Sequence, residues 1–213
     1  MSGPKPVLAS DWDDVMYEFL RHFLPYYNQS HGTNFRPEHN LDHDMSKLLG
    51  GDTQYFLEEV DKFHELGEST DQGVMPTAEE VIPVLAGKYD IVIVTARKKR
   101  FQHRISDMIA RYLPGQIAAI YSLEDFEHLG YSKGAFVREL DAAVLVDDHF
   151  KNIEEAVAHN VRGLLWNLPK NIGYPVAADR VDNWYDVYEK LTGKSFKPTS
   201  RRSESGGQSA DPA

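Results

Sequence analysis

Five residues of this sequence stand where apolar runs give out, and a sixth opens a helical pattern. Asp11 and Asp13 follow Val7-Leu8-Ala9-Ser10, and Thr95 follows Ile91-Val92-Ile93-Val94. Lys133 precedes a helical pattern from Ala135 to Leu140, and Asp147-Asp148 follow Ala142-Ala143-Val144-Leu145-Val146. An Asp-x-Asp after a strand is, by itself, more often a solvated acidic turn than a site. The other three segments supply it with partners. Four carboxylates in one crevice repel one another unless a cation neutralises them. An all-oxygen donor set suits a hard ion, with Mg2+ the natural choice. A hydroxyl and an ammonium added to such a cluster suit the oxygens of a phosphate.

For that cluster to exist, the apolar runs must be strands of one parallel sheet. Their carboxyl ends then share an edge, where ligands of open α/β sheets collect. The rest of the chain fits this requirement. After Val7 to Ser10, the residues Val15, Met16, Phe19, Leu20, Phe23 and Leu24 recur at helical spacing, with Pro25 expected to end the helix. Asp42 to Leu49 forms a short helix closed by Gly50-Gly51, and Asp52 caps another running through Tyr55, Phe56, Val60 and Phe63 to Gly67. No convincing strand occurs before about Met75, so residues 16–75 read as a helical insertion. From Pro76 the alternation returns, with strands at 91–94, 117–121, 142–146 and 161–166 between helices. Asp182 is expected to cap a last helix through Leu191. The reading is α/β, a doubly wound parallel sheet, with its core over residues 1–15 and 76–193. Residues 194–213 carry too few apolar side chains to offset the entropy of ordering, and a disordered tail is expected there.

A chain of 213 residues, 26% charged and 41% hydrophobic, falls within the ordinary globular range. Its formal charge of −10 argues against general nucleic-acid binding, which rests on clustered Lys and Arg. With no Cys, disulfides and thiolate chemistry are excluded. No membrane-spanning run or signal pattern is apparent, so no membrane partner and a cytoplasmic location are expected. The densest basic run, Arg97-Lys98-Lys99-Arg100, is read equally as a solvated helix start or as substrate contact, with Arg97 the member favoured for substrate. The stretch from His39 to Asp44 is read as solvated loop residues rather than a second metal site.

Taken in order, strand-Asp11-x-Asp13-x-Val15, strand-Thr95, Lys133 and strand-Asp147-Asp148 resemble the four motifs of the haloacid dehalogenase-like superfamily. The resemblance covers roughly Val7 to Leu191. Residues 16–75 are similar in placement to the helical cap of one of its subgroups. Within the superfamily the 5′(3′)-deoxyribonucleotidase-like group is most similar, on Val15, the Thr95-Ala96-Arg97 turn, His149 after the paired acids, and the size of the cap. One departure is Asp14, where the superfamily usually has Gly.

The resemblance implies a Mg2+-dependent phosphomonoesterase, a phosphoric monoester hydrolase of nucleotidase type working through an aspartyl-phosphate. The implied substrate is a nucleoside (deoxy)monophosphate. Asp11 is the implied nucleophile and Asp13 the general acid and base. Thr95, Ala96, Arg97 and Lys133 would bind the phosphate end, and Phe19 and Phe35 would contact a base. The metal would take Asp11, the Asp13 carbonyl and the Asp147-Asp148 pair, with Asp148 favoured as direct ligand and Asp147 behind it. The alternatives are a phosphatase for another small metabolite or for a nucleic-acid 3′-phosphate, and a phosphate-binding protein of the same fold whose turnover Asp14 has cost. Base, sugar, 5′ or 3′ preference, and monomer or homodimer stay open.

Overall fold

Val7–Ser10 (β1) is the middle of the sheet because both of its faces are apolar and both of its edges are paired. In a computed structural model that describes residues 3–66 and 73–198, β1 lies between Asp90–Val94 (β2) and Ala142–Asp147 (β4), parallel to both. Outside these stand Ile117–Tyr121 (β3), Arg162–Trp166 (β5) and Asp179–Val181 (β6), giving the order β3-β2-β1-β4-β5-β6, all parallel. That is the doubly wound order, and every carboxyl end falls on one edge.

Side chains alternating along the strands build a core on each face. Leu8, Ile91, Ile93, Val144, Val146 and Leu164 face one layer; Ala9, Val92, Val94, Leu145 and Leu165 face the other. The first layer is covered by Pro76–Ala86 (helix α4) and Trp184–Thr192 (α9), and by the aromatic interior of the helices before residue 66. The second is covered by Lys133–Glu139 (α7) and Phe150–Ala158 (α8). Gln102–Tyr112 (α5) and Leu123–Glu127 (α6) complete the core helices.

Between β1 and α4 the described residues include three α-helices, at Phe19–His31 (α1), Ser46–Leu49 (α2) and Thr53–Glu65 (α3). Asp52 caps α3, its Oδ1 accepting the Tyr55 N–H at 2.8 Å. Four expectations change. The helix expected from Asp42 to Leu49 begins only at Ser46, because the side chains of Asp42 and Asp44 accept the backbone N–H groups of Asp44 and Ser46 and hold that stretch in turns. The first helix starts later than its apolar pattern and runs through Pro25 to His31, because Tyr27 beyond the proline is buried and its hydroxyl bonds with Leu49 O and the Tyr55 hydroxyl. Burial of that second half offsets the one N–H that Pro25 lacks. The edge strand β6 has too short an apolar run to be legible in the sequence. The last helix is capped by Asn183, whose Oδ1 accepts from Tyr185 and Asp186 N–H.

Of the residues expected to form a disordered tail, 199–213 lie outside the described residues. Phe196, within it, stacks on Tyr185 at 5.2 Å between centroids. Among the described residues no helix is long and apolar enough to cross a membrane.

Candidate active site

The edge of the sheet brings together side chains from β1, β2, β4 and the start of α7. Asp11 leaves β1 with its N–H on Val146 O at 2.9 Å, so its position is tied to β4. Its carboxylate, that of Asp147 and that of Asp148 each place an oxygen within 4.8 Å of the others, and all three residues are buried. This is the one such group of possible metal ligands among the described residues. Lys133 enters between them, its Nζ 2.7 Å from Asp11 Oδ1 and 2.8 Å from Asp147 Oδ2.

Helix α7 can present Lys133 so deeply for two reasons. Ser132 caps it, the hydroxyl accepting the Ala135 N–H, and Gly134 lets it press on α8. A Cβ at Gly134 would lie 2.7 Å from Asn152 O.

Each acid has its own surroundings. Asp147 is fully buried; its Oδ1 accepts the His149 N–H at 2.7 Å, and Asn152 Nδ2 reaches both of its oxygens at 3.2 Å. Asp148 meets a residue that the sequence reading missed, with Lys170 Nζ 2.6 Å from its Oδ2. The neighbouring Asn171 donates to Asp148 O at 2.6 Å and to Trp166 O at 2.9 Å, fixing the turn after β5 against β4. Lys170 lies just past the carboxyl end of the fifth strand, and that placement alone was its sequence signal.

Burial beside two further carboxylates pushes Asp11 well up, against the pull of Lys133. Burial would also raise Asp148, but Lys170 overrides it and holds that carboxyl below its usual range. For Lys133, burial opposes the charge, and the flanking Asp11 and Asp147 outweigh it, keeping the ammonium protonated. The donor set of Asp11, Asp147 and Asp148 is oxygen-only and buried, which suits a hard divalent cation.

Asp13 and Arg97 are paired. Arg97 Nε is 2.8 Å from Asp13 Oδ2 and Nη2 is 2.5 Å from Oδ1, the forked geometry of a bidentate pair. The Arg97 side chain is 2% exposed against 26% for Asp13, and its guanidinium lies 5.2 Å over the Tyr17 ring. Its Nη1 is buried with no partner. Thr95 is fully buried at the end of β2, its Oγ1 accepting the Arg97 N–H at 3.2 Å, while Ala96 is exposed at the tip of the turn.

The rest of the basic run ties elements together. Lys98 and Arg100 both hold Asp61 of α3, at 2.5 and 2.7 Å, and Lys99 pairs with Asp125 of α6.

The two expected base contacts are packed elsewhere. Phe19 is buried against Phe23, Phe63 and His64, and Phe35 is half-buried against Tyr27. In the His39 to Asp44 stretch, Asp42 pairs with Lys47 and Asp44 accepts from Ser46. His43 packs on His149 and Phe150 at 4.3 and 5.0 Å, joining the insertion to the core.

Asp14 is buried at φ 57°, in the left-handed region that usually takes glycine. Burial and Asp148 push its carboxyl up to about 7, opposed by the Leu20 N–H and Lys170. Residues 11–18 form a closely held turn. Trp12 O accepts from Met16 and Tyr17 N–H at 2.9 Å, Asp14 N–H donates to Tyr17 O at 2.6 Å, and Trp184 Nε1 of α9 donates to Val15 O at 2.9 Å.

A family model described as 5' nucleotidase, deoxy (pyrimidine), cytosolic type C protein (NT5C) matches residues 5–196. Among solved structures, the HAD-hydrolase YfnB from Bacillus subtilis, bound to magnesium, is similar with a TM-score of 0.60 at 14% identity, over 89% of this chain and 99% of that one. A haloacid dehalogenase-like hydrolase from Streptococcus pneumoniae gives 0.61 at 11% identity, over 88% and 99%. The 2-haloacid dehalogenase from Pseudomonas syringae pv. Tomato gives 0.51 at 17%, over 89% and 99%. At these identities the structural likeness bears on the fold alone. No curated protein matches the chain.

Proposed function

The chain belongs to the 5' nucleotidase, deoxy (pyrimidine), cytosolic type C family and is a phosphoric monoester hydrolase of the haloacid dehalogenase-like fold. On that premise we propose that it is a Mg2+-dependent phosphomonoesterase acting on nucleoside (deoxy)monophosphates through an aspartyl-phosphate. The observation that carries this reading is Lys133, set 2.7 Å from Asp11 and 2.8 Å from Asp147 inside the carboxylate cluster. An ammonium so placed both orients a nucleophilic carboxylate and receives the oxygens of a transferred phosphoryl group.

In this mechanism Asp11 attacks phosphorus. Its Oδ1 accepts from Lys133 Nζ and from the Trp12 N–H at 2.7 Å, which leaves Oδ2 as the attacking oxygen. The new bond joins Oδ2 to phosphorus as the bond to the leaving alcohol breaks, and Asp13 gives that alcohol its proton. Water then attacks phosphorus, Asp13 takes a proton from it, and phosphate leaves with Asp11 restored.

Asp13 can do this only after exchanging its partner. Arg97 turns from Asp13 to the phosphoryl oxygens, and its partnerless Nη1 makes it ready to accept an anion. Thr95 and the Ala96-Arg97 turn complete the phosphate end. Phe19 and Phe35 would contact the base only by leaving packing they already make.

The carboxylates of Asp11 and Asp148 and the Asp13 carbonyl would hold Mg2+. Asp147 is the poorer direct ligand because Lys133, Asn152 and the His149 N–H already use both of its oxygens. When bound, Mg2+ would neutralise the cluster and stabilise charge on the transferred group. We take residues 1–15 and 76–193 as the catalytic core and 16–75 as its cap, and place the protein in the cytoplasm, as the family's description suggests.

The test is phosphate release from ribo- and deoxyribonucleoside monophosphates, sugar phosphates and a generic aryl phosphate, with Mg2+, with chelator, and with Asp11→Asn. Release that needs Mg2+, is lost in the variant and favours one nucleotide class is the expected result. No release from any compound would sink the proposal.

A further inference from the structure

Asp14 sits in a conformation that suits glycine, and its carboxylate does something glycine could not. Its Oδ1 accepts the backbone N–H of Leu20 at 3.0 Å. Leu20 is the second residue of α1, whose N-cap position, Glu18, supplies no side-chain cap. A helix start leaves N–H groups without intrahelical partners, and an acidic oxygen there satisfies one and meets the positive end of the helix dipole. Asp14 therefore caps α1 from six residues away, across the turn closed by its own N–H on Tyr17 O at 2.6 Å.

The same turn carries the reacting groups. Asp13 is joined to Tyr17 by a backbone bridge, and the Tyr17 ring lies under the guanidinium that grips Asp13. Beside the joint is a cavity of about 240 Å³ lined by Asp14, Leu20, Arg21, Asn40, Trp166 and Asn167. Asp14 and the start of α1 thus border the same open space.

We infer that Asp14 is a positioning residue, the joint through which helix α1 sets the placement of Asp13. In this role a capping bond to helix α1 replaces the free turn that glycine would give. The inference rests on the assignment of Asp13 as acid and base, and it accounts for the departure at this position without loss of turnover.

Two substitutions test it. Asp14→Gly suits the turn but removes the acceptor, whereas Asp14→Asn keeps an acceptor in a residue that tolerates the left-handed region. The Gly variant should fold with little change in Tm, lose about tenfold or more in kcat on the preferred substrate, and keep its KM. The Asn variant should recover most of that loss. Hydrogen exchange at the amides of residues 19–21 should quicken in the Gly variant and stay slow in the Asn variant.

Unchanged kcat in Asp14→Gly, or an Asn variant as impaired as the Gly variant, would overturn the inference. So would unchanged exchange at the start of α1. If the parent protein releases no phosphate at all, the phosphatase reading fails by itself, and the exchange experiment still decides whether Asp14 holds the helix.

Discussion

Lys133 shows what a single side chain does here. It is the ammonium between Asp11 and Asp147, all three are buried, and removing one partner of a buried charge set leaves the others uncompensated. Lys133→Met is expected to lose about 3 kcal/mol or more of unfolding free energy in chelator, and to regain part of it when Mg2+ is added, because a ligand that binds only the folded state stabilises it. Denaturant titrations in both conditions measure this. A variant as stable as the parent in chelator would mean that the carboxylates do not depend on Lys133 for their charge balance. Asp11 and Asp147 were visible in the sequence because each follows an apolar run, whereas Lys133, at a helix start, stood out only through the resemblance. Lys170 was not singled out, because a lysine beyond a fifth strand is common and nothing in one dimension says that its ammonium turns back to Asp148.

At the scale of elements, the run from Lys98 to Arg100 joins α3 to the core through Asp61. These groups are partly solvated, and such pairs contribute little. Asp61→Asn should therefore lower stability by less than about 1 kcal/mol, and the difference should shrink in high salt as screening grows. Unfolding curves at two ionic strengths are the measurement, and a loss of several kcal/mol at high salt would contradict the assignment. The basic run could be read in sequence as substrate contact or solvated helix start. Neither covers what Lys98 and Arg100 do, since their partner lies in another element 37 residues from Lys98. Pro25 misled for a related reason: a proline argues for a helix end locally, and only the burial of Tyr27 against α2 and α3 decides that the helix continues.

For the whole molecule, the interior between insertion and core sets a pH dependence. His64 is buried among Phe19, Phe63 and Phe101, with neither ring nitrogen partnered. Burial, with Arg97 and Arg104 nearby, pushes it down to about 2. The unfolded chain protonates His64 near 6.5, and the folded protein does so only near 2. The unfolded state therefore binds the extra proton, and stability falls as pH drops from about 6.5 towards 2. By pH 5 this one group should cost about 2 kcal/mol relative to neutral pH. His64→Leu should lose less stability than the parent between pH 7 and pH 5, by roughly that amount. An equal fall in unfolding free energy for parent and variant between the two pH values, measured by urea titration, would show that His64 is not the group responsible.

By itself the sequence determined the α/β alternation, five of the six strands, the presence of helices between the first strand and Pro76, and the four segments that meet at one sheet edge. These follow from local periodicity and from where charge interrupts it, both of which are properties of neighbouring residues. The tertiary structure alone decided that Arg97 holds Asp13, that Lys170 neutralises Asp148, and that the short run Asp179–Val181 pairs with β5 as an edge strand. It also decided that Asp14 serves a helix rather than the cluster beside it. Pairings of this kind depend on distances across the fold, and residue spacing along the chain does not encode them.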